Sequence, residues 1–183
     1  MFTNACIETE RLIIRPYQLD DLESLYNLQK DPEVHRFIPE PIYSLEEMEN
    51  IIKWSIVANK KNTVNNIVKF NLAIVEKESQ KIIGYCGLGP LDFAPSSTEL
   101  YYALRQDKWG NGYATEASKA LLKYGFSVLR IENVVTTVYP ENLASIHVLK
   151  KLGFQFKYKV KDIEVEFQEF EGLLFFSMAN PLL

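Results

Sequence analysis

A glycine-rich turn at residues 109–117 is the part of the sequence best suited to bind a charged ligand. It reads WGNGYATEA and places Gly110 and Gly112 between a predicted strand and a predicted helix. Glycine lets the backbone turn tightly and lets a ligand approach the main chain. The first N–H groups of a helix lack partners within the helix, and the helix dipole adds positive potential there. The turn is therefore predicted to bind a phosphate or pyrophosphate.

Two polar residues near the C-terminal end of the chain form a second candidate binding element. Asn142 and Ser145 lie three residues apart at the start of a predicted helix, so their side chains share one helix face. An amide and a hydroxyl in this position can hydrogen-bond a ligand. Both residue types are also typical helix caps, and the sequence leaves both interpretations open.

The elements that must position these residues are indicated by hydrophobic periodicity. Ser44 and Glu47 have the spacing of a capping box, and Gly153 is placed to end a helix in the left-handed conformation. Strands precede the strand–helix alternation, so the predicted class is α+β, with a mixed, mostly antiparallel sheet of about seven strands and about four helices on both faces. The predicted strands cover residues 11–15, 68–74, 82 onward, 98–104, 131–138, 154–160 and 173–178, and the helices begin near 20, 45, 114 and 142.

Length and composition limit the class of protein. The 183 residues, 47% hydrophobic and 24% charged, predict one domain over residues 1–183 with a full-sized core. The net charge of −4 disfavours nucleic-acid binding, which normally needs a basic surface. No apolar run reaches the length of a membrane span, and the first residues lack a signal-peptide pattern.

Cysteine and histidine are too few to indicate a metal centre. Cys6 and Cys86 are the two cysteines, and His35 and His147 are the two histidines. Two cysteines do not make a disulfide framework, and this set does not have the spacing of a zinc site. We therefore expect no metal, no membrane partner and a reduced, cytoplasmic setting.

Several short motifs are distributed over nearly the whole chain. Residues 10–16 read ERLIIRP, residues 31–34 read DPEV, and residues 99–102 read ELYY, while 109–117 and 142–154 carry the strongest motifs. With these residues the chain resembles the GNAT superfamily of acetyl-CoA-dependent N-acetyltransferases, and within it the ribosomal-protein N-terminal acetylases of the RimJ/RimL type. The general family pattern has Gln or Arg at the position of Trp109. A tryptophan at this position is similar to the pattern of the RimJ/RimL subgroup.

The resemblance implies which groups bind acetyl-CoA, its expected cofactor. Main-chain amides from Trp109 to Thr115 would hold the pyrophosphate, and main-chain groups of residues 102–104 would pair with the pantetheine arm like a further strand. Asn142 would hydrogen-bond this arm, and Ser145 would lie near the sulfur. The full expected set is Tyr102, Ala103, Leu104, Trp109, Gly110, Asn111, Gly112, Tyr113, Ala114, Thr115, Asn142, Ser145 and Leu149.

Acetyl transfer to an amine needs a base for the ammonium proton, stabilisation of an oxyanion and a proton for the leaving thiolate. Glu99 is the expected base, acting through a water, because related enzymes often carry a glutamate at this position. A strand glutamate is more often simply solvated. Glu169 and Glu171, just before the last strand, are rival bases, and a charged hairpin tip is the alternative account of both.

Ser145 or Tyr139 is expected to protonate the thiolate, although Tyr139 could equally be a packed aromatic residue. The oxyanion donor is expected to be a backbone N–H around Leu104. Cys86 lies inside a predicted strand, where a buried and inert thiol is expected. Direct attack in a ternary complex is therefore expected rather than an acyl-enzyme.

Two functions of different classes follow from these residues. The leading one is an acetyl-CoA-dependent N-acetyltransferase whose partner is a primary amine, either a protein N-terminus or a small molecule. The alternative is a CoA-binding sensor or scaffold without turnover. Residues 35–39 are expected to lie over the acceptor groove, and open strand edges make a homodimer plausible.

Overall fold

The computed structural model describes residues 1–38, 41–64 and 66–182. One eight-stranded sheet is built from β1 (Ile7–Glu8), β2 (Leu12–Pro16), β3 (Phe70–Glu76), β4 (Ile82–Leu91), β5 (Ala94–Leu104), β6 (Asn133–Val138), β7 (Gln155–Lys159) and β8 (Leu174–Ala179). The α-helices are α1 (Leu22–Gln29), α2 (Pro32–His35), α3 (Leu45–Lys61), α4 (Tyr113–Ser127) and α5 (Leu143–Leu152). Short 3-10 helices cover Leu19–Asp21, Gln106–Lys108 and Val165–Phe170.

The sheet is mixed, and the strands run in the order β1-β2-β3-β4-β5-β6-β8-β7. Among the described strands, β5 and β6 are the one parallel pair, and the other neighbours are antiparallel. The prediction of a mixed, mostly antiparallel sheet is therefore confirmed.

The structure contains more elements than the sequence predicted. Strand β1 has two residues, too few to give a periodic signal. Helix α2 has four residues and begins at Pro32, after Asp31 accepts a hydrogen bond from the Glu33 N–H at 3.0 Å. Proline in the first turn and an aspartate cap are typical of helix starts. The expected seven strands and four helices thus become eight strands and five α-helices in the described chain.

Two predicted helix ends are confirmed in detail. The Ser44 Oγ accepts from the Glu47 N–H at 3.2 Å, and the Glu47 carboxylate accepts from the Ser44 N–H at 2.7 Å. This is the reciprocal capping box that starts α3. Gly153 ends α5 with φ of 95°, the left-handed conformation that glycine adopts at little cost.

Strand β7 differs from what its alternating sequence indicates. Phe154 and Val160, which flank the strand, are buried, but Phe156 and Tyr158 within it are about half exposed. The register of β7 against β8 shifts between Phe156 and Tyr158. Because β7 is the edge strand of the sheet, alternation alone did not determine which of its side chains are buried.

Each face of the sheet packs against its own helices. Leu100 and Leu104 of β5 share a hydrophobic cluster with residues of α4 and α5, such as Leu121. Ala73 of β3 belongs to a second cluster that includes Ile52 of α3. Successive strand residues point to opposite faces, so Tyr102 points to the α4/α5 face while Glu99 and Tyr101 point to the α1/α3 face.

Candidate active site

The glycine-rich turn between β5 and α4 contains two left-handed glycines. Gly110 has φ of 74° and Gly112 has φ of 81°, a conformation that costs other residues about 1–2 kcal/mol. Gly112 caps α4, and its carbonyl accepts the first helical hydrogen bond from the Glu116 N–H at 3.0 Å. The N–H groups of residues 110–115 have no hydrogen-bond partner within the described chain. They form the amide cradle, a name used below for these six groups.

Trp109 holds this turn through its side chain rather than offering its amide to a ligand. Its N–H donates to the Gln106 carbonyl at 3.1 Å, so this amide is already engaged. The indole Nε1 donates to the Leu104 carbonyl at 2.8 Å. The main-chain N–H groups that remain free to bind a ligand are therefore those of residues 110–115 rather than 109–115.

An arginine on the opposite side of the turn supports the start of α4. Arg11 forms an ion pair with Glu116 at 2.6 Å and donates to the Asn111 carbonyl at 3.0 Å. Its guanidinium lies 4.2 Å from the centre of the Tyr113 ring. The hydrogen bond to Glu116 is the main reason why the pKa of Arg11 is raised. Arg11 thus connects β2 to the turn and to the first residues of α4.

A buried carboxylate joins both ends of the same turn. Glu76, the last residue of β3, accepts from Lys108 at 2.7 and 2.8 Å and from the Tyr113 hydroxyl at 2.6 Å. Ser79 donates a further hydrogen bond at 2.6 Å. These bonds, with that from Lys108 foremost, lower the pKa of Glu76 to about 2. Because Lys108 precedes the two glycines and Tyr113 follows them, Glu76 ties together the chain on both sides of Gly110 and Gly112.

The sheet opens at the junction of β5 and β6. The two strands pair through Thr98 with Val134 and through Glu99 with Val135, and the register records no further pairs along β5. Beyond these residues the two strands diverge, so main-chain groups of both strands face a gap. Such a gap offers hydrogen-bonding groups to an extended ligand in the manner of strand addition.

The direction of the main-chain groups along β5 follows from one hydrogen bond. The Arg105 N–H donates to the Ile83 carbonyl at 2.8 Å, and main-chain groups alternate between the two edges of an antiparallel strand. Ala103 therefore directs its N–H and C=O toward β4, where Tyr85 is its partner. Tyr102 and Leu104 direct theirs toward the gap. Of residues 102–104, Ala103 is thus not placed to pair with a ligand through its main chain.

A cavity of about 460 Å³ occupies the gap and takes its lining from both faces of the sheet. Pockets of this size suit small-molecule ligands. Six residues predicted for the site line it together, namely Glu99, Tyr102, Tyr139, Asn142, Ser145 and Leu149. The rival bases Glu169 and Glu171 are not among its described lining residues.

On the α4/α5 face, the cavity is lined by the start of α5 and by Tyr102. The Asn142 Oδ1 accepts from the Ser145 N–H at 3.0 Å, so Asn142 is a helix cap. Its Nδ2 has no partner in the described structure and is left for a ligand. The Tyr102 hydroxyl is buried without a geometrically acceptable hydrogen-bond partner. Burial raises the pKa of Tyr102, and the nearby Ser145 hydroxyl offsets part of that increase.

On the α1/α3 face, Glu99 lies at the point where β5 and β6 separate. Thr137 of β6 donates to its Oε1 at 3.3 Å. Tyr139 follows β6, and its ring centre lies 6.0 Å from that of Phe37. Phe37 and Ile38, from the segment expected to lie over an acceptor groove, line the cavity, whereas Pro39 lies outside the described residues.

Cys86 is placed as the sequence predicted. The residue is fully buried in β4, and burial raises the pKa of its thiol. A thiol that stays protonated is a poor nucleophile. Cys86 is also absent from the described cavity lining.

The described residues lack two features that would change the class of site. No cluster of three or more His, Cys, Asp or Glu side chains there has the arrangement of a metal site. In the same residues, no helix combines the length and the apolar composition that crossing a membrane requires.

Comparison with known proteins identifies the family. The acetyltransferase (GNAT) domain family matches residues 11–155, and the chain therefore belongs to it. The uncharacterized N-acetyltransferase p20 of Bacillus licheniformis is 31% identical over 163 residues, which cover 85% of each chain. The protein is accordingly an N-acetyltransferase of the EC 2.3.1 class that transfers an acetyl group from acetyl-CoA to an amine.

Solved structures share the same fold. The ribosomal-protein-S5-alanine acetyltransferase of Vibrio fischeri has a TM-score of 0.80 at 20% identity, covering 97% of this chain and 98% of its own. The spermidine N-acetyltransferase of Vibrio cholerae, solved with CoA and spermine, has a TM-score of 0.76 at 18% identity, covering 94% and 97%.

Several residues of the site carried no recognisable signal in the sequence. Arg11 and Glu76 contact the turn from strands about a hundred and about thirty residues away, respectively. The Tyr102 hydroxyl was overlooked because that residue was considered for its main-chain groups alone. Thr137 was missed because nothing in the strand sequence distinguishes it from other β-branched residues.

Proposed function

We propose that the chain transfers the acetyl group directly to a primary amine in a ternary complex, and that residues 1–183 act as one catalytic domain. The single observation that supports this proposal is the shared cavity, which reaches Glu99 on one face of the sheet and Ser145 on the other. An amine held on the α1/α3 face would therefore meet a thioester held on the α4/α5 face without a covalent relay.

The cofactor would be held mainly by main-chain groups. The amide cradle would bind the pyrophosphate, since six free N–H groups and a helix N-terminus suit a dianion. Main-chain groups of Tyr102 and the Asn142 Nδ2 would bind the pantetheine arm, while buried Leu149 packs beside it. Acetyl-CoA supplies the activated acetyl carbonyl.

Glu99 would remove the proton that blocks the reaction. Its carboxylate accepts a proton from the substrate ammonium through one water, which frees the nitrogen lone pair. The C–N bond then forms at the acetyl carbonyl as the C–S bond breaks. The main-chain N–H of Leu104 would stabilise charge on the carbonyl oxygen. The Ser145 or Tyr139 hydroxyl would give the departing thiolate its proton and would take the second proton of the amine nitrogen in return as the amide forms.

Acceptors that this cavity could hold include small amines and the first residue of a protein N-terminus. Gln29 supports this assignment, because its Oε1 is buried without a partner and the residue lines the cavity. An orphan acceptor of this kind is costly unless a ligand or water satisfies it. A substrate N–H would supply that donor.

Steady-state kinetics with both substrates varied tests the proposal. Thiol release from acetyl-CoA is measured against a panel of primary amines and N-terminal peptides. Intersecting double-reciprocal lines support direct transfer, whereas parallel lines indicate an acyl-enzyme. Cys86→Ala provides the matched check, because we expect turnover to persist without this thiol. A protein that binds CoA but releases no thiol with any amine would instead be a sensor or scaffold.

A further inference from the structure

The acceptor side of the cavity contains a cation that the proposed reaction does not use. Lys69 directly precedes β3 and lines the cavity. Its ammonium lies 4.6 Å from the centre of the Tyr101 ring, and no described carboxylate lies within 4.0 Å of it. The other charged residues in the described lining, Asp92 and Glu99, are acidic. Lys69 thus brings an unpaired positive charge into a pocket that accepts amines.

The backbone of Lys69 is held in place by a buried asparagine. Asn62 is 8% exposed, donates to the Lys69 carbonyl at 2.8 Å and accepts from the Val68 N–H at 2.8 Å. This pair of hydrogen bonds fixes the start of the side chain. The point on the main chain from which the Lys69 side chain extends is therefore fixed by the fold.

Two glycines of β4 leave room for side chains to cross the sheet. A Cβ on Gly89 would lie 2.7 Å from the Lys69 Cδ, so the lysine stem occupies that space. One row further, Tyr101 extends over Gly87 to donate to the Asn71 Oδ1 at 2.5 Å. Without these glycines, neither Lys69 nor Tyr101 would lie flat across the strand.

Lys69 and Glu99 face each other across this strand. Gly89 pairs with Glu99 in the sheet, and Lys69 lies on the other side of Gly89. The three residues form one row, and two strand spacings separate the Cα atoms of Lys69 and Glu99 by about 10 Å. A positive and a negative side chain therefore border the same trough from opposite ends.

We propose that Lys69 selects acceptors that carry a carboxylate in addition to the amine. This inference rests on the proposed function, in which the amine binds beside Glu99. A carboxylate on the same molecule would pair with Lys69 over the Tyr101 ring. A second ammonium on the acceptor would meet a like charge, and such repulsion rejects unwanted ligands effectively. The acceptor class is a small amino acid or amino carboxylate rather than a polyamine.

Acceptors of matched length and opposite charge test this assignment. The probes are 6-aminohexanoate, pentylamine and 1,5-diaminopentane, with the shorter pair 4-aminobutyrate and propylamine and the aromatic pair phenylalanine and phenethylamine. We expect kcat/KM of the wild-type protein to be about tenfold higher for at least one amino carboxylate than for its uncharged-tail partner, because of a single charge contact. The difference should lie in KM rather than kcat.

Variants of Lys69 change the charge and keep the stem. Lys69→Met should abolish the preference, Lys69→Arg should keep it, and Lys69→Glu should favour 1,5-diaminopentane over 6-aminohexanoate. Lys119→Met, on the exposed side of α4, is the matched control and should change nothing. Affinity for CoA should be equal in all variants, which also shows that they are folded.

Binding of the same probes to the CoA-loaded protein, followed by saturation-transfer NMR, separates two kinds of failure. Lys69-dependent binding of an amino carboxylate without acetylation would support this inference and contradict the proposed function. Acetylation of the panel with equal preference in the wild type and Lys69→Met would overturn this inference alone. The absence of any Lys69-dependent difference in binding or turnover also overturns it.

Discussion

The Thr137 hydroxyl donates to Glu99 at 3.3 Å from the neighbouring strand, just beyond the last pair that joins β5 to β6. The two residues thus border the opening through which an amine would reach a thioester. Glu99 is the carboxylate that the sequence indicated as the base. The hydrogen bond from Thr137 gives its carboxylate a defined orientation at that opening.

Replacing Glu99 by Gln should reduce kcat by about a hundredfold or more, which is the usual contribution of a general base. The affinity of this variant for CoA should not change, because the amide cradle lies on the other side of the sheet. Turnover is measured by thiol release and CoA affinity by calorimetry. Glu169→Gln is the control and should retain wild-type turnover. Equal rates for Glu99→Gln and wild type across the pH range would exclude Glu99 from the mechanism.

Gly112→Ala should lower the affinity for CoA, and this loss should exceed what the loss of folding stability alone would cause. Gly112 and Gly172 both have positive φ, 81° and 86°, and in each case an added Cβ would meet one cationic side-chain tip at 3.6 Å. Alanine at either site should lower the free energy of unfolding by about 1 kcal/mol through backbone strain. Gly112→Ala alone should also lose CoA affinity. Equal CoA affinity in the two variants would contradict the amide cradle.

Glu76→Gln should loosen the turn and weaken CoA binding, since Lys108 and Tyr113 lose their shared acceptor. Calorimetry with CoA measures this effect, and about a tenfold loss is expected for one charge-assisted anchor. Ser79→Ala, which removes the donor outside the turn, should leave CoA affinity nearly unchanged. A CoA affinity as high in Glu76→Gln as in the wild type would show that Glu76 does not support the cradle.

Acid stability offers an independent test of the same carboxylate. The pKa of Glu76 falls to about 2 in the folded protein from an ordinary value of 4.5. A lowered folded-state pKa means that the stabilisation is complete above pH 4.5 and is lost as the pH falls toward 2. The difference in melting temperature between wild type and Glu76→Gln should therefore shrink over this interval. A difference that stays constant with pH would contradict the assignment.

Three hydroxyl groups that line the cavity can be distinguished by single substitutions. Ser145→Ala and Tyr139→Phe test the two expected donors, and Tyr102→Phe tests the buried hydroxyl beside Ser145. Tyr102→Phe should not destabilise the fold, because the hydroxyl it removes makes no hydrogen bond. The substitution that removes the proton donor should lower kcat at high pH without changing CoA affinity. Unchanged rates in all three would indicate that water supplies this proton.

Local signals in the sequence were sufficient for most elements and for the cradle. Ser44 and Glu47 form the predicted box because a capping box depends on residues three apart. Gly110 and Gly112 adopt positive φ because no other residue does so at so little cost. The engagement of the Trp109 amide within the turn could not be predicted, because a resemblance does not show which donors already have a partner.

Contacts between residues of distant strands could not be predicted from the sequence. The sequence by itself determined a mixed α+β fold and a turn with two left-handed glycines, because periodicity, caps and glycine positions act over a few residues. Its motifs carried the resemblance to the family. Only the tertiary structure decided that β5 and β6 part after Glu99, that Glu76 and Arg11 support the turn, and that Lys69 crosses Gly89 toward Glu99. These relationships depend on strand order and register, which arise when residues far apart in the chain pack together.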